Sequence, residues 1–85
     1  MDPQIVLEQV REIIGSVLQL EERTANLQMD TTLLGGIPEF DSMAVVTVLT
    51  ALEDNYGFVV NDDEISADTF ATVGTVVDFV VQKTT

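Results

Sequence analysis

The chain has 85 residues, enough for one small domain, and 46% of them are hydrophobic, which excludes an intrinsically disordered chain. It contains 15 acidic and 3 basic residues, and the net charge of -12 disfavours nucleic acids and anionic membranes as partners and favours basic proteins. Histidine and cysteine are absent, which excludes disulfides, thiolate chemistry, the commonest general base and the commonest metal ligand.

The first predicted element is a helix from Asp2 to about Leu20. Asp2 suits the N-cap and Pro3 suits the first helical position. Apolar residues at helical spacing predict its inward face: Val6, Val10, Ile13, Val17 and Leu20, widened by Ile14 and Leu18. Gly15 weakens the helix interior, and we interpret it as a position where another element approaches closely.

A loop of about twenty residues, Glu21 to Asp41, follows. A loop this long in a small domain usually has a function or hidden order. Its apolar side chains are predicted to fix it to the core: Leu27, Met29, Leu33, Leu34 and Ile37. Gly35-Gly36 permits a tight turn, but the nucleotide-binding patterns GxxxxGK[ST] and GxGxxG are absent, so nucleotide binding is disfavoured.

The second helix is predicted from Ser42 to Asn55 or Tyr56, and Gly57 ends it. Asp41 is the predicted N-cap. The exposed hydroxyl of Ser42 would lie at the positive end of the helix dipole, a position that suits a phosphate group. Helical spacing predicts the inward face: Val45, Leu49, Leu52 and Tyr56, with Val48 at its border.

Phe58-Val59-Val60 is predicted to be a loop packed on the core, since a single strand would have no partner. Six acids lie within the sixteen residues 53–68, without the spacing of a calcium loop. We interpret them as a solvated acidic face, with weak divalent binding as the alternative. A short third helix of about two turns is predicted in this segment, with Ile65 buried.

The last helix is predicted from Val73 to about Gln82, with Thr72 as its N-cap and Phe70 as a core anchor before it. Its inward face consists of valines: Val73, Val76, Val77 and Val80. β-Branched residues are poor helix formers, so tertiary packing must stabilise this helix. Together the elements predict a single all-α domain over residues 1–85, a small four-helix bundle with a long loop between the first two helices.

Several stretches share the pattern of one known family: Leu33-Leu34-Gly35-Gly36-Ile37, Phe40-Asp41-Ser42-Met43-Ala44-Val45-Val46, Leu49, Ala51-Leu52-Glu53, Tyr56-Gly57, Phe70 and Thr72-Val73-Gly74. Over about residues 5–81 the chain resembles the acyl carrier protein family. The most specific part is Asp41-Ser42-Met43, a version of the family's Asp-Ser-Leu motif. The resemblance implies that a phosphopantetheinyl transferase attaches 4'-phosphopantetheine to Ser42, next to the helix cap Asp41. The thiol of this arm would hold acyl groups as thioesters.

The resemblance also implies partner enzymes that transfer, activate or condense acyl groups. It assigns contact with them to the outer face of the second helix: Met43, Val46, Thr47, Thr50, Glu53 and Asp54. Many family members have additional acids where this chain has Ala44, Thr47 and Thr50, so we predict a more apolar and more selective contact. The apolar interior predicts an acyl pocket between the second and third helices, lined by Val45, Leu49, Leu52, Val60, Ile65 and Phe70.

No catalytic residue and no metal site is predicted, because Ser42 has no histidine for a triad and Asp41 is a cap. Two alternatives remain at this point: a peptidyl or aminoacyl carrier with the same arm, and an acidic interaction domain without one. The pathway also stays open among fatty-acid synthesis, polyketide or lipopeptide synthesis, and surface-polymer or lipid modification, with a weak preference for a specialised carrier. No apolar run could span a membrane and no secretory signal is evident, so we expect a cytoplasmic protein. The net charge of -12 disfavours self-association, so we expect a monomer.

Overall fold

A computed structural model of the chain describes residues 2–84, and at position 62 it describes the backbone only. Its α-helices are α1 (Pro3–Val17), α2 (Ser42–Tyr56) and α3 (Val73–Thr84). Between them lie short 3-10 helices at Glu21–Asn26, Asp62–Glu64 and Ala67–Phe70. α1 packs against both α2 and α3. The predicted all-α architecture is confirmed, and part of its long first loop is itself helical.

α1 begins as predicted and ends earlier. The backbone N–H of Gln4 donates to Asp2 Oδ1 at 2.9 Å, which confirms the N-cap. The backbone of Gln19 is left-handed (φ 55), so the helix stops before Leu20. Ile13 and Val17 are half-buried rather than central, because the buried face is rotated toward Val6, Leu7, Val10 and Ile14.

Gly15 lies where the 3-10 helix Glu21–Asn26 meets α1. A Cβ on this residue would lie 2.2 Å from Oγ1 of Thr24, closer than any two such atoms can approach. The carbonyl of Gly15 also accepts a hydrogen bond from Leu20 N at 2.9 Å. The close approach predicted at Gly15 is therefore confirmed, and the approaching element is the first part of the long loop.

The second part of the long loop is hydrogen-bonded to the residues that lead into α3. Leu33 N donates to Ala71 O at 2.8 Å, and Val73 N donates to Thr31 O at 3.0 Å. Leu33 is fully buried, whereas Met29 is exposed, so the prediction that Met29 anchors the loop was wrong. The other predicted anchors are buried or half-buried: Leu27, Leu34 and Ile37.

Gly74, in the first turn of α3, donates its N–H to Met29 O at 2.7 Å. A Cβ on Gly74 would lie 2.8 Å from that same oxygen. We therefore expect Gly74→Ala to lower the free energy of unfolding by about 1–3 kcal/mol through crowding of the backbone. Alanine gains up to about 1 kcal/mol in helix propensity over glycine, and the expected loss outweighs this gain. Urea denaturation measures the difference.

Gly57→Asn is the matched control for Gly74→Ala. Gly57 ends α2 in a left-handed conformation (φ 74), and a Cβ on this residue would meet no neighbouring atom within 4 Å. Asparagine tolerates this conformation better than other residues with a Cβ, so its cost should be smaller than that of Gly74→Ala. A Gly74→Ala protein as stable as the wild type would contradict the crowding at Met29.

The buried face of α2 is rotated from the predicted one. Val48, predicted at the border, is fully buried, and Val45, Leu49 and Tyr56, predicted at the centre, are half-buried. α2 has two adjoining rows of apolar residues, and spacing alone does not tell which row faces the core. The row that does so is Ala44, Val48 and Leu52.

Two 3-10 turns, Asp62–Glu64 and Ala67–Phe70, form the short third helical segment instead of one continuous helix. Ser66 between them has extended backbone, which separates the two turns, and Ile65 is half-buried rather than buried. Lys83 Nζ donates to Glu64 Oε2 at 2.7 Å, so the first turn is fixed to the end of α3. This hydrogen bond lowers the pKa of Glu64.

α3 is confirmed as a helix and extends to Thr84. Thr75 N donates to Thr72 Oγ1 at 3.1 Å, as expected for the predicted N-cap. All four predicted valines have no exposed surface: Val73, Val76, Val77 and Val80. Their burial supplies the stabilisation that β-branched side chains do not give a helix locally.

Candidate functional site

Asp41 and Ser42 lie exposed at the start of α2, as the sequence predicts. Ala44 N donates to Asp41 Oδ1 at 2.9 Å, and Asp41 has extended backbone, so Asp41 is the N-cap. Ser42 is therefore the first residue of the helix, at the positive end of its dipole. A phosphate bonded to the Ser42 hydroxyl would be stabilised by that dipole and by first-turn amides.

The segment that leads to Ser42 is held firmly against the core. The Phe40 side chain is 3% exposed, and its ring centroid lies 6.1 Å from that of Phe70. Phe40 N donates to Ile37 O at 2.9 Å, and Ile37 N donates to Leu33 O at 3.0 Å. Ser42 thus follows an ordered turn, although its own side chain is open to solvent.

An exposed ion pair lies just before the site, where the Arg23 guanidinium donates to the Glu39 carboxylate. The hydrogen bond holds the pKa of Glu39 below its ordinary value, so the carboxylate stays ionised to lower pH. Arg23 belongs to the 3-10 helix Glu21–Asn26, and the pair therefore links that helix to the approach to α2. The positive charge of Arg23 also offsets the negative charge of Glu39, one of the acids that the sequence places near Ser42.

A cavity of about 340 Å³ opens beside Ser42. Three of the predicted acyl-pocket residues line it, namely Val45, Ile65 and Phe70. The sequence analysis missed the rest of the lining: Leu34, Ser66 and Ala67. These three residues come from the loop and from the 3-10 segment, which helical spacing could not place next to α2.

The other three predicted pocket residues do not line the cavity. Leu52 has no exposed surface and belongs to the packed core. Leu49 is half-buried on α2 and packs against that core. Val60 is half-buried in the loop after α2, where its N–H donates to Glu53 Oε2 at 2.8 Å. Of these three residues, only Leu52 is fully enclosed by protein.

Two large apolar side chains are exposed on the outer face of α2, next to Ser42. Met43 is 71% exposed and Val46 is 59% exposed. Thr47 and Thr50 are also exposed, and their hydroxyls donate at 3.0 Å to backbone carbonyls one turn earlier. The surface next to Ser42 on this face is thus mainly apolar. The hydroxyl hydrogens of Thr47 and Thr50 are already used in hydrogen bonds within α2.

Of the two acids predicted on the outer face, Asp54 is exposed. Glu53 is only partly exposed, because its carboxylate accepts the hydrogen bond from Val60 N. Glu53 therefore connects α2 to the loop that follows it. This role was not visible in the sequence, because a hydrogen bond to a backbone amide seven residues away leaves no pattern.

The chemistry available around Ser42 is limited. The chain has no histidine or cysteine, so no residue can activate the Ser42 hydroxyl as in a catalytic triad. Among the side chains that the structure describes, those of residues 2–61 and 63–84, no three acids are placed together to hold a metal ion. None of the helices among residues 2–84 is long and apolar enough to cross a membrane. What the site offers is an exposed hydroxyl at a helix N-terminus next to an apolar cavity.

Residues 8–80 match the family model described as "Phosphopantetheine attachment site". A solved structure is also similar: the solution NMR structure of a holo acyl carrier protein from Nitrosomonas europaea, with 57% sequence identity and a TM-score of 0.84. The alignment covers 91% of this chain and 93% of that protein. The chain belongs to the acyl carrier protein family. A comparison with curated proteins gave no match.

Membership of the acyl carrier protein family identifies the chain as a carrier rather than an enzyme, and 4'-phosphopantetheine as its prosthetic group. The thiol of that group supplies the reactivity that the polypeptide lacks. The geometry fits the group, since an exposed serine hydroxyl, a helix N-terminus and an apolar cavity adjoin one another. Acyl carrier proteins act with partner enzymes and are modified by a phosphopantetheinyl transferase.

Proposed function

We propose that the chain holds acyl groups as thioesters on a 4'-phosphopantetheine arm attached to the Ser42 hydroxyl. The observation that supports this most strongly is the position of Ser42, exposed as the first residue of α2 within the region that matches the family model. Asp41 supports the attachment indirectly, since it caps α2 and fixes the orientation of its first turn. The tethered arm would present its cargo to docked enzymes at high effective concentration.

The cavity beside Ser42 is the proposed place for the cargo. Its lining is mainly apolar, through Leu34, Val45, Ile65 and Phe70. Burying an acyl chain there would remove apolar surface from water, at about 25 cal/mol per Å². It would also shield the cargo until a partner enzyme binds. Leu49, Leu52 and Val60 have no part in this proposal, because they lie outside the cavity.

The outer face of α2 is the proposed surface for partner enzymes. Met43 and Val46 form its apolar centre next to Ser42, and Thr47 and Thr50 border them. Asp54 adds one exposed charge further along the helix, whereas Glu53 is engaged with Val60. Exposed apolar side chains grouped in this way are typical of a protein-interaction site, and a partner would need a matching apolar surface.

This surface favours a specialised carrier over the main carrier of fatty-acid synthesis, which must dock with many enzymes. Partners would include a phosphopantetheinyl transferase and enzymes that transfer, activate or condense acyl groups. The sequence-based expectations of a cytoplasmic location and a monomeric state remain predictions.

The attachment is tested by intact mass. The folded wild-type chain is incubated with coenzyme A and a phosphopantetheinyl transferase of broad specificity, and we expect a gain of one phosphopantetheine. Residues 24–82 contain no Lys or Arg, so Ser42 and Ser66 fall in the same tryptic peptide and fragmentation must distinguish them. No gain in mass, or an arm located on Ser66, would refute the proposal.

A further inference from the structure

A groove with a volume of about 350 Å³ lies between α1 and α2, and all of its lining residues belong to these two helices. Its apolar lining consists of Ile13 and Val17 on α1 and Ala51 on α2. These three residues are half-buried, and the surface that the core leaves uncovered faces the groove. Because the side chain of Ala51 is a single methyl group, it leaves space between the helices that a larger side chain would fill.

The two walls of the groove are held together within the chain. The Tyr56 hydroxyl on α2 donates to the side-chain carbonyl of Gln9 on α1, and Gln9 is one of the lining residues. Below the groove, Val10 on α1 and Val48 on α2 have no exposed surface and belong to the same core cluster. A ligand would therefore meet a preformed surface, and little ordering of the chain would be needed to bind it.

The rim of the groove is acidic. Glu12 lines the groove from α1, and Glu8 is exposed one turn earlier on the same helix. On the opposite side, Asp54 is exposed one turn after Ala51 on α2. We call Glu8, Glu12 and Asp54 the acidic rim. Like charges held at this spacing favour a ligand that carries positive charge on both of its flanks.

The basic residues of the chain do not offset the acidic rim. None of the three lines the groove. Each bonds elsewhere: Arg11 to the carbonyl of Leu27, Arg23 to Glu39, and Lys83 to Glu64. With a net charge of -12 on the whole chain, the field at the groove attracts cationic partners. The same field opposes a second copy of the chain and an anionic membrane as occupants.

The groove is continuous with the outer face of α2. Met43, Thr47 and Ala51 follow one another at intervals of four residues, so they form one row along the helix. Ala51 is nine residues after Ser42, or about 14 Å along the helix axis. A protein bound in the groove would thus lie beside the outer face and leave Ser42 accessible.

We propose that the groove between α1 and α2 docks an amphipathic helix of a partner protein. A helix can pack its apolar face into a groove of this kind through side chains three and four residues apart. Its apolar side chains would contact Ile13, Val17 and Ala51, and its Lys and Arg side chains would face the acidic rim. This surface is separate from the outer face of α2, and binding to it does not require an arm on Ser42.

The test uses the unmodified, ¹⁵N-labelled chain and a synthetic helical peptide of about 18 residues, about 27 Å long. The peptide has Leu along one face, Lys on both flanks of that face and Ala elsewhere, and a scrambled peptide of the same composition controls for charge alone. In about 150 mM salt, where exposed charges are largely screened, we expect the amphipathic peptide to bind at least about ten times more tightly. The largest changes in amide chemical shift should occur at Ile13, Val17, Ala51 and Asn55. Because Ser42 carries no arm here, the outcome is independent of the carrier function.

Two pairs of variants locate the site. Ala51→Gln fills the groove with a larger polar side chain, and Ala25→Gln is its control, because Ala25 is exposed on the 3-10 helix Glu21–Asn26 and does not line the groove. Glu12→Lys reverses a charge of the acidic rim, and Glu22→Lys makes the same change at an exposed residue of that 3-10 helix. We expect each groove variant to weaken binding at least about tenfold and each control less than about twofold. Circular dichroism establishes folding, and Glu12→Lys decides the test if Ala51→Gln does not fold.

Several results would overturn the proposal. They are equal binding of the two peptides, equal effects of a groove variant and its control, shift changes confined to another surface, and no binding at about 1 mM peptide, a concentration that corresponds to only about 4 kcal/mol. A dimer of the free chain that Ala51→Gln dissociates, measured by sedimentation, would also overturn it, because the groove would then belong to a second copy.

Discussion

The Ser42→Ala protein is expected to gain no mass with coenzyme A and a phosphopantetheinyl transferase, while the wild type gains one phosphopantetheine. Ser42 is the first residue of α2, and its hydroxyl is the group to which the phosphate would be bonded. Alanine has no hydroxyl. The loss of modification should be complete rather than partial. The fold should remain, because the side chain is exposed and such substitutions usually change stability by less than about 0.5 kcal/mol.

Ser66→Ala is the matched control for Ser42→Ala. Ser66 is also an exposed serine, and it lines the same cavity from the opposite segment. It does not lie at the start of α2, so Ser66→Ala should be modified to the same extent as the wild type. Circular dichroism would establish that both variants are helical. Modification of a folded Ser42→Ala protein would show that the arm is attached elsewhere.

Leu33→Ala is expected to lower the free energy of unfolding by about 2–5 kcal/mol, the usual cost of a large cavity in a core. Leu33 has no exposed surface although it lies in the long loop. Domains of this size are stabilised by about 5–15 kcal/mol in total, so the substitution removes a large fraction of that stability. The change should appear as a lower urea midpoint with an unchanged slope.

Met29→Ala is the control for Leu33→Ala, because it truncates another apolar residue of the same loop. The Met29 side chain is 37% exposed, and its cost should therefore be smaller, below about 1 kcal/mol. Equal effects of the two substitutions would contradict the structure. So would a Leu33→Ala protein as stable as the wild type, because the loop would then not be part of the core.

The start of α2 was predictable because its signals are local. Asp41 and Ser42 are adjacent in sequence, and a cap acts within one turn. The face of α2 was predictable only to within one row of residues. Ala44 and Val48 face the core rather than Val45 and Leu49, and the choice between the rows depends on where α1 and the loop lie. The residues of one helix do not contain that information.

Only three of the six predicted pocket residues line the cavity, because its lining also depends on how distant segments pack together. Val45, Ile65 and Phe70 were assigned to it because they are apolar and were expected between the second and third helices, and they do line it. Leu34 was interpreted as a loop anchor, and its position in the lining depends on the hydrogen bond between its N–H and Phe70 O. That bond joins residues 36 positions apart, and no pattern in a single sequence indicates which distant segments pair.

The four buried valines of α3 have a consequence for the order in which the protein folds. A helix rich in β-branched residues has little stability on its own, and a segment this short is marginal even with better helix formers. α3 should therefore form only when α1 and the long loop are present to cover it. A growing chain would therefore stay incompletely folded until α3 has left the ribosome. In native-state hydrogen exchange, the amides of α3 should open together with those of α1, in one cooperative unit.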